Sequence, residues 1–346
     1  MTKLSYLSLI LMVGLLLVAG CQNKQTKTTP SKIEAVQSPV PAVKAKAVDT
    51  EQQKQNTPEP QARIKSEEPN ETQKPAPVQK APKEKPKEAK QSKAELFNSS
   101  CVVILNPEFI NDKGIADYNL LKRNKSELKK LLDNFATLSP KKYESWPKDE
   151  KIAFWLNAYN IKLLDIIAEN HPIQSTRIRR LFWPPASIRH ITGIWSDYKF
   201  IVTNEEFTLS EVDKRYFRSE FDDPKIFFAI SQASLSGPAL RNQPFTGEKL
   251  QSQLEDQVKR FLSRTDVFKI DRTKKTVSLS ALFQPSWYGT GFVPLYGTDK
   301  KFKEQEPAAR AVLNFITNYI SPEDKAFLET ENYTVNYITY DWSLNQ

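Results

Sequence analysis

Residues 22–95 most constrain what this chain can fold into, because they cannot form a core of their own. The segment contains ten prolines, fifteen Lys or Arg, ten Asp or Glu and no aromatic residue. Such a composition does not bury enough apolar surface to offset the entropy lost on ordering. We therefore expect a disordered linker over residues 21–95 and a globular domain over residues 96–346.

The first 21 residues have the pattern of an export signal. Lys3 is followed by an apolar run from Leu4 to Val18, and the segment ends in LVAGC. This resembles a bacterial lipoprotein signal peptide (residues 1–20), in which Cys21 becomes the lipid-modified, palmitate-bearing N-terminus. The resemblance implies a membrane anchor on Cys21 and a cell-envelope location. Gln22 implies the outer membrane, facing the periplasm, if the cell is Gram-negative. The alternative is an uncleaved membrane helix.

The net charge of +9 does not indicate nucleic-acid binding. The segment 22–95 carries a surplus of five positive charges and Lys3 adds another, which leaves a surplus of three for residues 96–346. A nucleic-acid-binding domain would instead concentrate basic residues on a folded face. With Cys21 lipidated, Cys101 has no disulfide partner, and we expect it to be buried in a strand at 101–105. Two His and one free Cys exclude a four-ligand zinc site, and we expect no cofactor.

Helical and strand patterns alternate irregularly in the domain, which predicts one α+β domain with core helices packed on a sheet. Ser126, Ser145 and Ser210 are the predicted N-caps of three helices. Helices are predicted at 126–139, 145–170, 210–217, 247–264 and 307–320; strands at 101–105, 198–203, 227–231 and 333–340; and a hairpin at 267–280 with its turn at 272–275.

Asn157 and Asn160 lie within the most apolar helix. Asn is unfavourable inside a helix, and a buried amide needs hydrogen-bond partners. Either the two amides project into a ligand pocket or they brace the helix against a neighbouring loop, and the second interpretation is favoured.

Four stretches together resemble a known family. They are AFWLNAYN (153–160), DPKIFFAI with the small-residue loop that follows (223–238), VSLSALF (277–283) and YDWSLN (340–345). Their order resembles the bacterial and plant family DUF547, a domain of unknown function, over most of residues 150–346. The resemblance implies a shared fold and no particular activity.

The chain departs from the family pattern where thiol chemistry would reside. The segment FFAISQASLSGPAL (227–240) aligns with a family pattern that contains His, Asn and two Cys, and VDKRYF (212–217) aligns with a pattern that contains Glu and His. A thiol nucleophile needs both its sulfur and an activating base. We therefore expect that no thiol catalysis is possible here. The substituted positions are Phe227, Ser231, Gln232, Gly237, Asp213 and Lys214.

A serine could replace the missing thiol only with an oriented histidine beside it. Ser234 and Ser236 are the candidate nucleophiles, with His190 or His171 as the base, although neither histidine lies in a matching motif. Arg241 follows the loop directly and is either a carboxylate-binding residue or an exposed surface cation.

The stretch RLFWPPASIRH (180–190) places Phe182 and Trp183 among basic residues. The two rings either form an exposed lip for a sugar, peptide or polymer, or fold inward over the sheet.

We predict a lipoprotein whose domain binds a small ligand or an envelope protein without catalysis. The alternatives are a serine-based hydrolase or acyltransferase and a structural spacer of the envelope. The candidate ligand-binding residues are Asn157, Asn160, Ser231, Gln232 and Arg241.

Overall fold

The computed structural model describes residues 92–346, in which helices predominate over two small sheets. The predictions for the signal peptide, the linker and Cys21 fall outside the described residues. The helices are α1 (Lys93–Ser99), α2 (Tyr118–Arg123), α3 (Lys125–Thr137), α4 (Pro140–Glu144), α5 (Lys148–Asn170), α6 (Leu209–Val212), α7 (Leu250–Leu262), α8 (Val293–Tyr296), α9 (Pro307–Ile316) and α10 (Pro322–Thr330). The strands are β1 (Phe200–Val202), β2 (Glu205–Phe207), β3 (Phe268–Asp271), β4 (Thr276–Ser280) and β5 (Thr334–Ile338).

Helix α5 is the centre of the domain. Its 23 residues are buried on nearly all sides, and α1, α2, α3 and α7 pack around it. A helix that is apolar around its whole circumference belongs inside a core. Trp155 of α5 stacks on Tyr216 with ring centroids 3.8 Å apart. The predicted stop at His171 is confirmed, since His171 is the extended C-cap residue.

Two sheets lie at the edge of this helical core. Strands β1 and β2 form an antiparallel pair, and β1 packs on α3. Strand β4 lies between β3, its antiparallel hairpin partner, and β5, which runs parallel to it. The α+β class and the hairpin turn at 272–275 are thus confirmed.

The predicted helix caps are wrong in detail. Helix α3 begins after Asn124, and α5 begins after Pro147, while the Ser145 hydroxyl donates to the Lys142 carbonyl at 2.6 Å. Helix α6 is capped by Thr208, whose side chain forms a capping box with Glu211. A serine one or two residues away from the true boundary offers the same sequence signal, so spacing alone does not select the cap.

Two predicted strands are helical turns instead. Residues 101–105 form one turn of 3₁₀ helix, Ser100–Val103, in which Cys101 and Ile104 are buried while Val102 and Val103 are exposed. This spacing is helical and does not alternate as a strand would. The predicted strand at 227–231 is preceded and partly replaced by a 3₁₀ helix, Pro224–Phe228, because Asp223 caps it and Pro224 opens it. Short apolar runs do not distinguish a buried strand from a buried helical turn.

Cys101 is buried as expected, and burial raises the pKa of its thiol. Within residues 92–346 no helix has the length and apolar character to cross a bilayer.

Candidate functional site

Asn160 fixes the segment that leads into the small-residue loop. Its Nδ2 donates to the Ala229 carbonyl at 2.9 Å, and its Oδ1 accepts from the Ser231 backbone N–H at 2.9 Å. The amide is buried, and both of its ends are used by the backbone of one segment. Asn160 therefore ties the loop to helix α5.

Asn157 makes the equivalent pair of bonds to a different segment. Its Nδ2 donates to the Phe245 carbonyl at 2.8 Å, and its Oδ1 accepts from the Phe245 N–H at 2.9 Å. One helical turn of α5 thus fixes two loops. This geometry matches the brace interpretation of the two amides.

The loop 231–238 is held from several directions. Ser231 Oγ accepts from the Ala233 N–H at 3.0 Å, and this turn places Ala233 at φ +47°. Arg264 donates from Nη1 to the Gly237 carbonyl at 2.7 Å and from Nη2 to the Leu235 carbonyl at 2.6 Å. A charged donor fork on two carbonyls fixes the loop conformation.

The C-terminal segment pairs with the same loop. Ser234 Oγ shares a hydrogen bond of 2.7 Å with the Tyr340 hydroxyl, and Ser236 Oγ accepts from the Asp341 N–H at 2.9 Å. The Leu235 N–H donates to the Ser343 carbonyl at 2.8 Å. The hydroxyls of both candidate serines therefore hydrogen-bond to the C-terminal segment.

Neither histidine contacts these serines. His190 Nε2 lies 2.8 Å from the Pro184 carbonyl, while its Nδ1 is buried with no partner among residues 92–346. His171 lies beside Tyr118, with ring centroids 5.9 Å apart. Among residues 92–346, neither Ser234 nor Ser236 forms a hydrogen bond with an imidazole.

Arg241 is half-buried and forms an ion pair with Asp256 of α7. Its guanidinium is thus occupied by a carboxylate of this chain. It also does not line the cavity described next.

A cavity of about 430 Å³ opens beside Gln232. Four tryptophans and two tyrosines make up six of its thirteen lining residues, and the others are one leucine and six charged or polar side chains. A concave site that combines aromatic surface with polar groups can hold a small molecule. The lining residues are Tyr159, Trp183, Arg189, Trp195, Leu209, Ser210, Asp213, Arg218, Gln232, Ser286, Trp287, Tyr288 and Trp342.

The polar groups on one side of the cavity form a connected network. Gln232 Nε2 donates to the Tyr288 hydroxyl at 3.0 Å. Arg218 donates from Nε to Asp213 Oδ2 at 2.7 Å and from Nη1 to the Trp287 carbonyl at 3.1 Å. Its guanidinium also lies 4.6 Å from the centroid of the Tyr288 ring. Burial raises the pKa of Asp213, although Arg218 opposes the shift.

A π-helical segment, Asp213–Glu220, positions this ion pair. Its hydrogen bonds run over five residues, so residues five apart come near the same face, and Asp213 and Arg218 are five apart. In an α-helix the same two side chains would diverge by well over a right angle. The predicted regular helix at 210–217 did not contain this feature.

Arg189 also lines the cavity, and its guanidinium lies against two indole rings that pack edge-to-face on each other. Its guanidinium carbon is 4.6 Å from the Trp183 ring centroid and 5.1 Å from that of Trp342. No carboxylate within residues 92–346 forms an ion pair with it. Stacking therefore fixes a cation whose hydrogen-bond donors are not used by the described side chains.

The positions that depart from the family pattern lie around this cavity. Gln232 and Asp213 line it, and Phe227 stacks on Tyr288 with centroids 4.5 Å apart. A Cβ atom placed on Gly237 would lie 3.0 Å from the Gln232 Cβ, so the two positions where the family pattern has cysteines adjoin. Lys214 is exposed and does not line the cavity.

Sequence analysis identified part of this site and missed the rest. Gln232 was a candidate and lines the cavity. Trp183, expected either on an exposed lip or folded inward, is half-buried and lines the cavity, whereas Phe182 is exposed. Arg189, Arg218, Trp287 and Trp342 were not expected in the site. Arg189 and Trp342 lie within the stretches 180–190 and 340–345 that the sequence singled out, whereas Arg218 and Trp287 lie in neither and had no such signal.

The described residues contain no cluster of three or more His, Cys, Asp or Glu side chains with the geometry to hold a metal ion.

The fold and the cavity define an α+β domain with a preformed aromatic cleft. Residues 143–262 match the family model described as "Protein of unknown function, DUF547". The resemblance seen in the sequence is confirmed over those residues, and the similar stretches at 277–283 and 340–345 lie beyond the matched range. No curated protein and no solved structure matches the chain.

Proposed function

We propose that the domain binds a small organic carboxylate with a ring-shaped body, and that it does so without catalysis. The observation that carries the proposal is Arg189, a cation at the wall of the cavity that contacts the rings of both Trp183 and Trp342 and forms no ion pair among residues 92–346. Its planar fork suits a carboxylate, which can accept two parallel N–H bonds. The aromatic walls suit the flat face of a ring.

Other lining residues supply the groups that would orient the body of the ligand. Gln232 and the Asp213–Arg218 pair lie among the lining residues and offer both acceptors and donors. Because these groups are already linked to one another, they are held before a ligand arrives, which reduces the ordering cost of binding. The volume of about 430 Å³ suits a molecule of one or two rings.

Binding is favoured over a serine-based hydrolase or acyltransferase by the positions of the hydroxyls. Ser234 Oγ pairs with Tyr340, and Ser236 Oγ pairs with the Asp341 backbone. General-base catalysis requires a hydrogen bond from the nucleophile to its base, and neither serine makes one to His190 or His171. No observation favours the other alternative, in which the protein is a structural spacer of the cell envelope.

The binding domain belongs, in this proposal, to an envelope lipoprotein anchored through Cys21. The support is the apolar run that ends in LVAGC and the proline-rich, aromatic-free linker after it. Labelling cells with a palmitate analogue should mark the wild-type protein and fail to mark Cys21→Ser. Equal labelling of both proteins would exclude this anchor.

Binding is tested by calorimetric titration with two matched pairs of probes, benzoate against benzamide and glucuronate against glucose. We expect at least one carboxylate to bind about tenfold more tightly than its uncharged partner, which corresponds to one charge-assisted hydrogen-bonded contact. Arg189→Gln should remove this preference. Arg177→Gln is the matched control, because Arg177 is exposed and does not line the cavity.

Two results would reject the proposal. One is that neither carboxylate binds better than its uncharged counterpart. The other is that Arg189→Gln and Arg177→Gln retain the same preference as the wild-type protein.

A further inference from the structure

The loop between α5 and β1 exposes three large apolar side chains close together. Ile178, Leu181 and Phe182 are 72%, 80% and 71% exposed, the three highest values for large apolar residues within 92–346. Clustered exposed apolar side chains mark an interaction surface rather than ordinary surface variation. We call residues 177–182 the docking loop.

Between Glu169 and Asp197 the chain carries charge of a single sign. Residues 170–196 contain four arginines and no Asp or Glu. Arg177 and Arg180 are exposed, and neither forms an ion pair with the residues described by the structure. Arg180 donates from Nε to Ser175 Oγ at 2.7 Å, so it remains a charged, unneutralised group.

The exposure of the apolar tips is built into the turn. Arg179 donates from Nη1 to the His190 carbonyl at 2.9 Å and from Nη2 to the Arg189 carbonyl at 3.3 Å. The Trp183 N–H donates to the Arg179 carbonyl at 3.1 Å, and Trp183 packs edge-on against Trp342. Fixed at both ends, the turn holds the three apolar side chains outward.

We propose that the docking loop binds the surface of an anionic lipid bilayer. Ile178, Leu181 and Phe182 enter the boundary between headgroups and acyl chains, while Arg177 and Arg180 contact lipid phosphates. Apolar tips and cations alternate within one turn, so the surface that receives them must offer hydrocarbon and negative charge side by side. An anionic bilayer provides both over a flat area.

Docking in this way would place the aromatic cavity next to the lipid headgroups. Trp183 follows Phe182 directly and lines the cavity. The inference does not depend on a lipid on Cys21, nor on a carboxylate ligand. It is therefore tested separately from the proposed function.

The test uses the full chain carrying Cys21→Ser, with a nitroxide attached at Leu181→Cys. The matched control carries the nitroxide at Leu295→Cys, an apolar position that is 60% exposed and outside the loop. Cys101 is fully buried and stays unlabelled. Because residues 1–95 are present in both proteins, any membrane binding by them affects both labels alike.

Vesicles of phosphatidylcholine with phosphatidylglycerol should shield the label at 181 from a water-soluble nickel relaxation agent and leave the label at 295 accessible. Vesicles of phosphatidylcholine alone should shield neither. The double variant Arg177→Ala/Arg180→Ala should raise the lipid concentration needed for half-maximal shielding about twentyfold or more, since each arginine changes the partition coefficient roughly fivefold. Lys300→Ala/Lys303→Ala removes the same charge elsewhere and should leave shielding unchanged.

Four outcomes would overturn the inference. The label at 181 could stay accessible while the protein sediments with anionic vesicles, or both vesicle types could shield it equally. Shielding that appears without vesicles as protein concentration rises would indicate self-association. Equal shielding by a polyglutamate peptide would indicate an acidic protein partner.

Discussion

Glu150 is a carboxylic acid buried at the start of α5. Its Oε2 accepts from Asn98 Nδ2 at 2.7 Å and from the Gly247 N–H at 3.1 Å. Burial raises the pKa of Glu150 and the nearby Glu95 carboxyl adds to the shift, while these hydrogen bonds oppose it. A single residue therefore couples the stability of the domain to pH.

The sign of this coupling follows from the direction of the shift. With its pKa above the unfolded value of about 4.3, Glu150 keeps a proton in the folded state that the unfolded chain releases. The contribution of Glu150 to the free energy of unfolding is complete below the unfolded pKa of about 4.3. It is lost as the pH rises through the pKa that Glu150 has in the folded state.

Replacing Glu150 with Gln should therefore change the free energy of unfolding more favourably at neutral than at acidic pH. Gln stays uncharged at both pH values and keeps one oxygen to accept from Asn98 and Gly247. The free energy of unfolding of Glu150→Gln, relative to wild type, should rise between about pH 4 and about pH 7 in urea titrations. The exposed Glu248→Gln is the control and should show no such rise. An equal difference at both pH values would contradict the assignment.

At the scale of elements, α5 acts through two amides that hold separate loops. Asn160 pairs with the backbone of 229–231, next to Gln232 in the cavity, whereas Asn157 pairs with Phe245, which does not line it. The two side chains are chemically identical and equally buried, yet only one supports the site. We therefore expect both amides to contribute to the stability of the domain and only Asn160 to contribute to ligand binding.

Either amide replaced by Ala leaves a buried N–H and a buried carbonyl without partners. We expect Asn157→Ala and Asn160→Ala each to lower the free energy of unfolding by about 2–4 kcal/mol in urea titrations. Only Asn160→Ala should also weaken benzoate binding, measured where both variants remain folded. Asn318→Ala, exposed on the last turn after α9, should change neither quantity. Equal loss of binding in the two core variants would refute the division of roles.

The elements differ in how far the sequence alone predicts them. Helices α7 and α9 have one apolar face with helical spacing, and α5 is a long apolar run, so the existence and approximate ends of all three follow from the sequence. The strands predicted at 101–105 and 227–231 are wrong and overlap the 3₁₀ turns at 100–103 and 224–228, because a short buried run has no distinguishing period. The π-helical segment 213–220 carries no sequence signal at all, yet it places Asp213 and Arg218 together in the site.

For the molecule as a whole, the C-terminal segment 340–345 joins parts that are far apart in the sequence. Asn345 accepts from the Tyr118 hydroxyl at 2.6 Å and donates to the Gly114 carbonyl at 3.0 Å. Ser343 and Asp341 pair with the loop 234–236, and Trp342 lines the cavity. Such long-range pairing depends on the completed fold, so the sequence identified the segment only as a family-like motif.

Removal of residues 340–346 should therefore affect the site and the fold together. We expect the deletion to lower the urea midpoint and abolish benzoate binding, because the loop 234–236 loses its partners and the cavity loses the Trp342 wall.

Trp342→Ala separates the two effects. It removes one of the two rings that the Arg189 guanidinium contacts, a cation–π contact worth about 0.5–2 kcal/mol. Benzoate binding should weaken up to about thirtyfold, with a smaller change in the urea midpoint. Deleting Gln346 alone should leave both measurements at wild-type values, whereas a 340–346 deletion that still bound benzoate normally would show that the tail is not part of the site.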